Sequence, residues 1–228
     1  KPKDTLHFVR AVRGYPRPGY RPTPPSLPAV AGDYTGDGTA DAALYRPSAG
    51  AWMFRNGNRY YLGENGDRPV PQAYTGYGRW QSAVFRPTLG KWIVREGDGA
   101  YFGAAADEPV PADYDGDGRA AIAVFRPGQG KWMVRNSTRA FWGGDGDLPV
   151  SADYDGDGTV DIAVYRPAAG KWMVRGGVSA YFGGGEDIPV PGDYDGDGTR
   201  EMAVFRPSTG KWLARTGRSW FFGSETDL

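Results

Sequence analysis

The sequence has no cysteine and a single histidine, His7. Without cysteine there is no disulfide, no thiolate metal site and no thiol nucleophile, although this does not fix the compartment. With its one imidazole in the N-terminal tail, the body of the chain cannot assemble a Ser–His–Asp or Cys–His system. No run reaches about 18 uninterrupted apolar residues, so no membrane span is expected. A signal peptide is not visible either, though a mature secreted chain would have lost one.

The net charge is zero, but residues 1–26 carry +5 and the remainder −5. That balance makes no general case for a nucleic-acid partner. What the chain has in abundance is glycine (36 residues) and proline (19). Such numbers argue against helices and for many short strands joined by turns. An aromatic content of 14% is enough for a substantial core.

The dominant signal is a period. Tyr34, Tyr74, Tyr114, Tyr154 and Tyr194 are spaced by forty residues. So are Trp52, Trp92, Trp132, Trp172 and Trp212, and five arginines from Arg46 to Arg206, each followed by proline. Each copy reads as four short strands; in the fourth, "DLPVSADY" precedes an acidic loop, "DIAVYRP" follows it, "KWMVR" returns after the "AAG" turn, and "SAYFG" ends the unit. Four strands per forty residues predict an all-β, five-bladed β-propeller with blades at about 27–66, 67–106, 107–146, 147–186 and 187–228. Strand residues of both parities are apolar, as expected of a blade sandwiched between two neighbours. For the basic, proline-rich segment 1–26, two readings remain: a strand around Phe8 and Val9 covering the junction of blades 5 and 1, or a linker.

Each acidic loop places carboxylates at positions 1, 3, 5 and 9, where they repel one another unless a cation sits between them. Oxygen donors without imidazole or thiolate favour calcium. The best copy offers Asp153, Asp155, Asp157, the carbonyl of Thr159, and Asp161. Asp193, Asp195, Asp197, Thr199 and Glu201 differ only in the longer last side chain. Two copies are expected to be weaker: Asp33, Thr35, Asp37, Thr39 and Asp41 has a hydroxyl at position 3, and Asp113, Asp115, Asp117 and Arg119 ends on Ala121. Copy 2 has Ala73, Thr75, Tyr77 and Gln81 in the ligand places and is expected to be metal-free. The opening matches an EF-hand loop, but position 12 is Val164 within a strand pattern, so the loop joins two strands.

"DYDGDGTVDIAVYRP" and its fellows resemble the FG-GAP/VCBS repeats, the integrin-α-like propeller blades, over about 200 residues. The resemblance implies calcium in the loop between the first two strands of a blade, an extracellular setting, and adhesive or carbohydrate-binding work. Copy 2 and the five-blade count depart from the family pattern, in which seven blades are commoner.

Further expectations concern the rest of the blade. The Trp series, with the arginines three residues on, is read either as inter-blade cation–π contacts or as shallow sugar sites at Trp52, Trp92, Trp132, Trp172 and Trp212. Tyr77, Arg79 and Trp80 in copy 2 are either a binding patch or the remains of a decayed site. Tyr101, Phe141, Tyr181 and Phe221 are expected in the core, and the periodic Asp67, Asp107, Asp147, Asp187 and Asp227 are read as structural. Nothing pairs the remaining acids for catalysis, so a non-enzymatic module binding glycans or cell-surface polysaccharide is favoured. The alternatives are a scaffold within a longer secreted polypeptide and, less favoured, a polysaccharide-active enzyme.

Overall fold

The computed structural model describes residues 32–76 and 78–223. The protein is an all-β, five-bladed propeller of antiparallel sheets. Blade 1 contributes β1 (Ala43–Arg46), β2 (Ala51–Phe54) and β3 (Arg59–Tyr61). Blade 2 has β4 (Arg68–Pro69), β5 (Ala83–Arg86), β6 (Lys91–Val94) and β7 (Ala100–Tyr101). Blade 3 has β8 (Glu108–Pro109), β9 (Ala123–Arg126), β10 (Lys131–Val134) and β11 (Arg139–Phe141). Blade 4 has β12 (Leu148–Pro149), β13 (Ala163–Arg166), β14 (Lys171–Val174) and β15 (Ser179–Tyr181). Blade 5 has β16 (Ile188–Pro189), β17 (Ala203–Arg206), β18 (Lys211–Ala214) and β19 (Ser219–Phe221). The expected first strand of blade 1, the Phe8–Val9 segment, His7 and Asp227 lie outside the described residues.

Local chemistry sets the hairpins. Proline after the second strand cannot extend the ladder, and it opens a single 3-10 turn such as Pro127–Gln129. That turn ends on Gly130 at φ +57°, whose N–H returns to the Pro127 carbonyl. An added Cβ at Gly130 would lie 2.2 Å from the Gly143 carbonyl oxygen, so glycine is required there both for its dihedral and for its lack of a side chain.

The register then sorts the aromatic residues. Trp172 pairs with Tyr165 on one side and Ala180 on the other, on the face that packs inward. Its indole Nε1–H donates to the Phe182 carbonyl at 3.0 Å, which satisfies the one polar group that burial would orphan. Trp52, Trp92 and Trp132 repeat this arrangement at 0–1% exposure. The outer-strand residues Tyr101, Phe141, Tyr181 and Phe221 are 70–74% exposed. The expectation that they are core is therefore corrected: the outermost strand has no further strand beside it, and their faces meet solvent. Lysines from the neighbouring strand cap three of these rings: Lys91 over Tyr101, Lys171 over Tyr181 and Lys211 over Phe221.

Successive blades are joined by a repeated seam. Val84, Val124, Val164 and Val204 each pack fully buried against the preceding blade's cluster. A backbone bond ties neighbouring acidic loops, as in Val160 N–H to the Asp113 carbonyl (2.7 Å) and Arg200 N–H to the Asp153 carbonyl (2.8 Å). The fifth seam differs among the described residues. Leu44, in the place of those valines, is 40% exposed, Trp212 is only half-buried, and no bond joins Ala40 to Asp193.

Candidate metal centre

The acidic loops owe their shape to two clamps. A β-bridge sets position 9 opposite the residue before position 1 (Ala152 with Asp161, Gly192 with Glu201), so the last carboxylate folds back over the first. The loop tyrosine then anchors to the first strand, Tyr154 Oη donating to the Val150 carbonyl at 2.6 Å, with the same bond at Tyr74, Tyr114 and Tyr194. Within the loop, Asp153 accepts from Gly156 N–H at 2.7 Å and Gly158 N–H at 3.0 Å. Both glycines have positive φ (80° and 87°), which turns these amides inward toward the carboxylate. Asp161 Oδ2 accepts from Tyr154 N–H at 3.0 Å, and Glu201 accepts from Tyr194 N–H in the same way.

Ligand atoms from Asp193, Asp195, Asp197 and Glu201 lie within 4.8 Å of one another, as do those of Asp113, Asp115 and Asp117, and those of Asp153, Asp155 and Asp161. Asp157 is not part of its group, although its Oδ1 accepts from Thr159 N–H and Oγ1–H just as Asp197 Oδ1, which is part of its own, accepts from Thr199. The first loop, with Thr35 at position 3, brings no three acids to that distance among the described residues. There Asp33 takes Gly36 and Gly38 N–H, Asp41 takes Tyr34 and Thr35 N–H, and Asp37 takes Thr39. Arg119 replaces threonine at position 7 of the third loop and donates its N–H to Asp117.

Electrostatics reflect the crowding. Burial first, and then the charges of Asp155, Asp157 and Asp153, raise the Asp161 carboxyl above its ordinary value. Glu201 is raised for the same reasons by burial and by Asp195, Asp193 and Asp197. Asp37, Asp157 and Asp197 are lowered, chiefly by the hydroxyl of the threonine two residues on. An all-oxygen donor set whose closing carboxylate is destabilised by burial and by like charges fits a hard divalent cation, which would relieve the repulsion.

Blade 2 reaches the same loop shape by other means. Gln81 Oε1 accepts from Tyr74 and Thr75 N–H, as Asp161 does from Tyr154. Its Nε2–H donates to the Arg79 carbonyl at 2.9 Å, where a carboxylate would present a second oxygen. Trp80 and Arg79 turn toward blade 1, while Tyr77 lies outside the described residues.

The sugar-site reading is corrected at Trp52, Trp92, Trp132 and Trp172, since no ligand reaches a ring at 0–1% exposure, while Trp212 is partly exposed. The cation–π reading is realised at one seam among the described residues, with Arg95 4.0 Å above Tyr60. A set of buried ion pairs was not expected from the sequence: Asp67, Asp107, Asp147 and Asp187 take two hydrogen bonds each from Arg86, Arg126, Arg166 and Arg206. The clue was present: both series share the forty-residue period.

No protein-family model and no curated protein matches this chain.

Proposed function

We propose that the chain is a calcium-stabilised propeller module of the FG-GAP/VCBS kind, secreted, and that it binds glycans rather than acting as an enzyme. The calcium assignment is carried by one observation: the same loop fold gathers oxygen-only clusters in blades 3, 4 and 5. Asp153, Asp155 and Asp161 would hold the ion in blade 4, and Asp193, Asp195, Asp197 and Glu201 in blade 5. The cation would supply charge compensation and a staple between two strands. Extracellular modules commonly bind calcium with dissociation constants of about 10⁻⁴ to 10⁻³ M, concentrations met outside cells.

A binding role is supported by the engagement of the recurring acids. The buried aspartates are held by arginines and the loop acids by their own loops. That is a rigid frame, and catalysis would need a carboxylate pair free to act.

The test is thermal unfolding in millimolar calcium and in chelator, followed by a glycan and polysaccharide screen on protein verified as folded. Calcium should raise the melting temperature by several degrees, and binding should appear in the calcium-loaded state. An unchanged melting temperature would remove the calcium assignment. No binding across a broad panel would remove the glycan assignment and leave a scaffold.

A further inference from the structure

The seam between blades 1 and 2 breaks the repeat. At the other three seams between consecutive blades, the residues from the earlier blade are Val94, Val134 and Val174 together with Ala100, Ala140 and Ala180. Blade 1 has Phe54 and Tyr60 in those places. From the later blade the residues are Ala120, Val160 and Arg200, where blade 2 has Trp80. The substitutions are matched to one another. An added Cβ at Gly32 would fall 2.2 Å from the Trp80 ring, so Trp80 lies directly on the blade 1 backbone. Its N–H donates to the Asp33 carbonyl.

These rings line a cleft of about 220 Å³. They form a chain across it: Trp80 to Tyr34 at 6.4 Å, Tyr34 to Phe54 at 5.0 Å, and Phe54 to Tyr60 at 5.4 Å between centroids. Polar groups surround them. Arg95 stacks over Tyr60, and Tyr60 Oη hydrogen-bonds Ser82 Oγ. Glu96 pairs with Arg79 at 2.8 Å and with Arg95 at 3.4 Å. Glu96 adopts φ +59°, a left-handed backbone that is costly for a residue other than glycine or asparagine, and it stands where blades 3 and 4 have Asn136 and Gly176. Strain of this kind collects at binding sites.

We propose that this cleft is a single-copy site for one uncharged pyranose unit of a glycan. The inference rests on the glycan-binding reading above and gives it one location. Aromatic walls suit the C–H face of a sugar ring. Arg79 and Arg95 are balanced by Glu96 and by Asp41, which also lines the cleft, so the polar rim offers donors and acceptors for hydroxyl groups without net charge. The volume lies below the roughly 300 Å³ at which drug-sized pockets begin, which suits one ring rather than a long segment.

The experiment titrates the full chain in millimolar calcium with the methyl pyranosides of glucose, galactose, mannose and N-acetylglucosamine, with methyl glucuronide as the charged comparison. Calorimetry and saturation-transfer NMR report binding. Two variants restore residues that the repeat itself uses elsewhere: Trp80→Ala alone, and Phe54→Val with Tyr60→Ala and Trp80→Ala. Both should fold, which unfolding curves verify. The expected result is one equivalent bound per chain, weakened at least tenfold in both variants. Undiminished binding in the folded variants, or several equivalents per chain, overturns the single cleft and leaves the glycan reading standing. Preference for the glucuronide overturns the uncharged ligand. Failure of the folded wild-type chain to bind any pyranoside or any polysaccharide of the broad panel overturns both readings, as does capture of an apolar peptide by the cleft in their place.

Discussion

Asp107 accepts two hydrogen bonds from Arg126, Nε–H to Oδ1 at 2.7 Å and Nη2–H to Oδ2 at 2.9 Å, and its carboxylate is completely buried. The same carboxylate takes the Ala104 N–H at 2.9 Å, so the turn entering blade 3 is fixed to the end of its second strand. Removing one partner of such a pair leaves a charge without compensation, which costs about 3 to 5 kcal/mol in buried settings. Arg126 is 31% exposed, which places the loss near the lower end. Arg126→Ala should cost about 3 kcal/mol in urea denaturation. A double variant with Asp107→Ala should cost clearly less than the sum of the singles; additive losses would mean that the pair is not coupled.

Asp161→Asn separates a metal site from an ordinary turn by the sign of its effect. In chelator, removal of a carboxylate crowded by Asp155, Asp157 and Asp153 should raise the melting temperature. Asparagine can still accept from Tyr154 N–H, as Gln81 accepts from Tyr74 N–H in blade 2. In calcium at tenfold its dissociation constant, the variant should instead lose about 1.4 kcal/mol of ligand stabilisation. An equal effect in both buffers would argue for a turn alone.

Gly130→Ala and Gly128→Ala form a matched pair within one turn. Gly130 has φ +57° and its Cβ would strike the Gly143 carbonyl, whereas Gly128 has open space around the same position. The first should cost more than about 2 kcal/mol, through left-handed strain plus the clash. The second should be neutral or gain up to about 1 kcal/mol from a stiffer unfolded chain. Equal effects would refute the turn geometry.

Trp172→Ala should cost about 3 to 5 kcal/mol, the usual penalty for emptying a large buried site. Tyr181→Ser, at a ring 74% exposed, should stay within about 0.5 kcal/mol. Denaturation midpoints for the two would confirm which aromatic series is core.

The sequence by itself determined the blade count, the four-strand unit, the glycine-ended turns and the acidic loops, because each rests on short-range chemistry repeated at a fixed period. A period does not say which copies of a residue face which neighbour. Trp172 and Tyr181 recur equally well, yet only the pairing of Trp172 with Ala180 turns one ring inward, while its place on the outermost strand leaves the other in solvent. The aspartate and arginine series likewise became ion pairs only when the first and second strands of a blade were laid side by side, 19 residues apart in the chain. The cleft at the first seam was least legible. Its walls come from two blades, and only blade packing brings Tyr60 and Ser82, 22 residues apart, into contact. Repetition encodes the frame locally, whereas the departures acquire meaning from neighbours that the tertiary structure supplies.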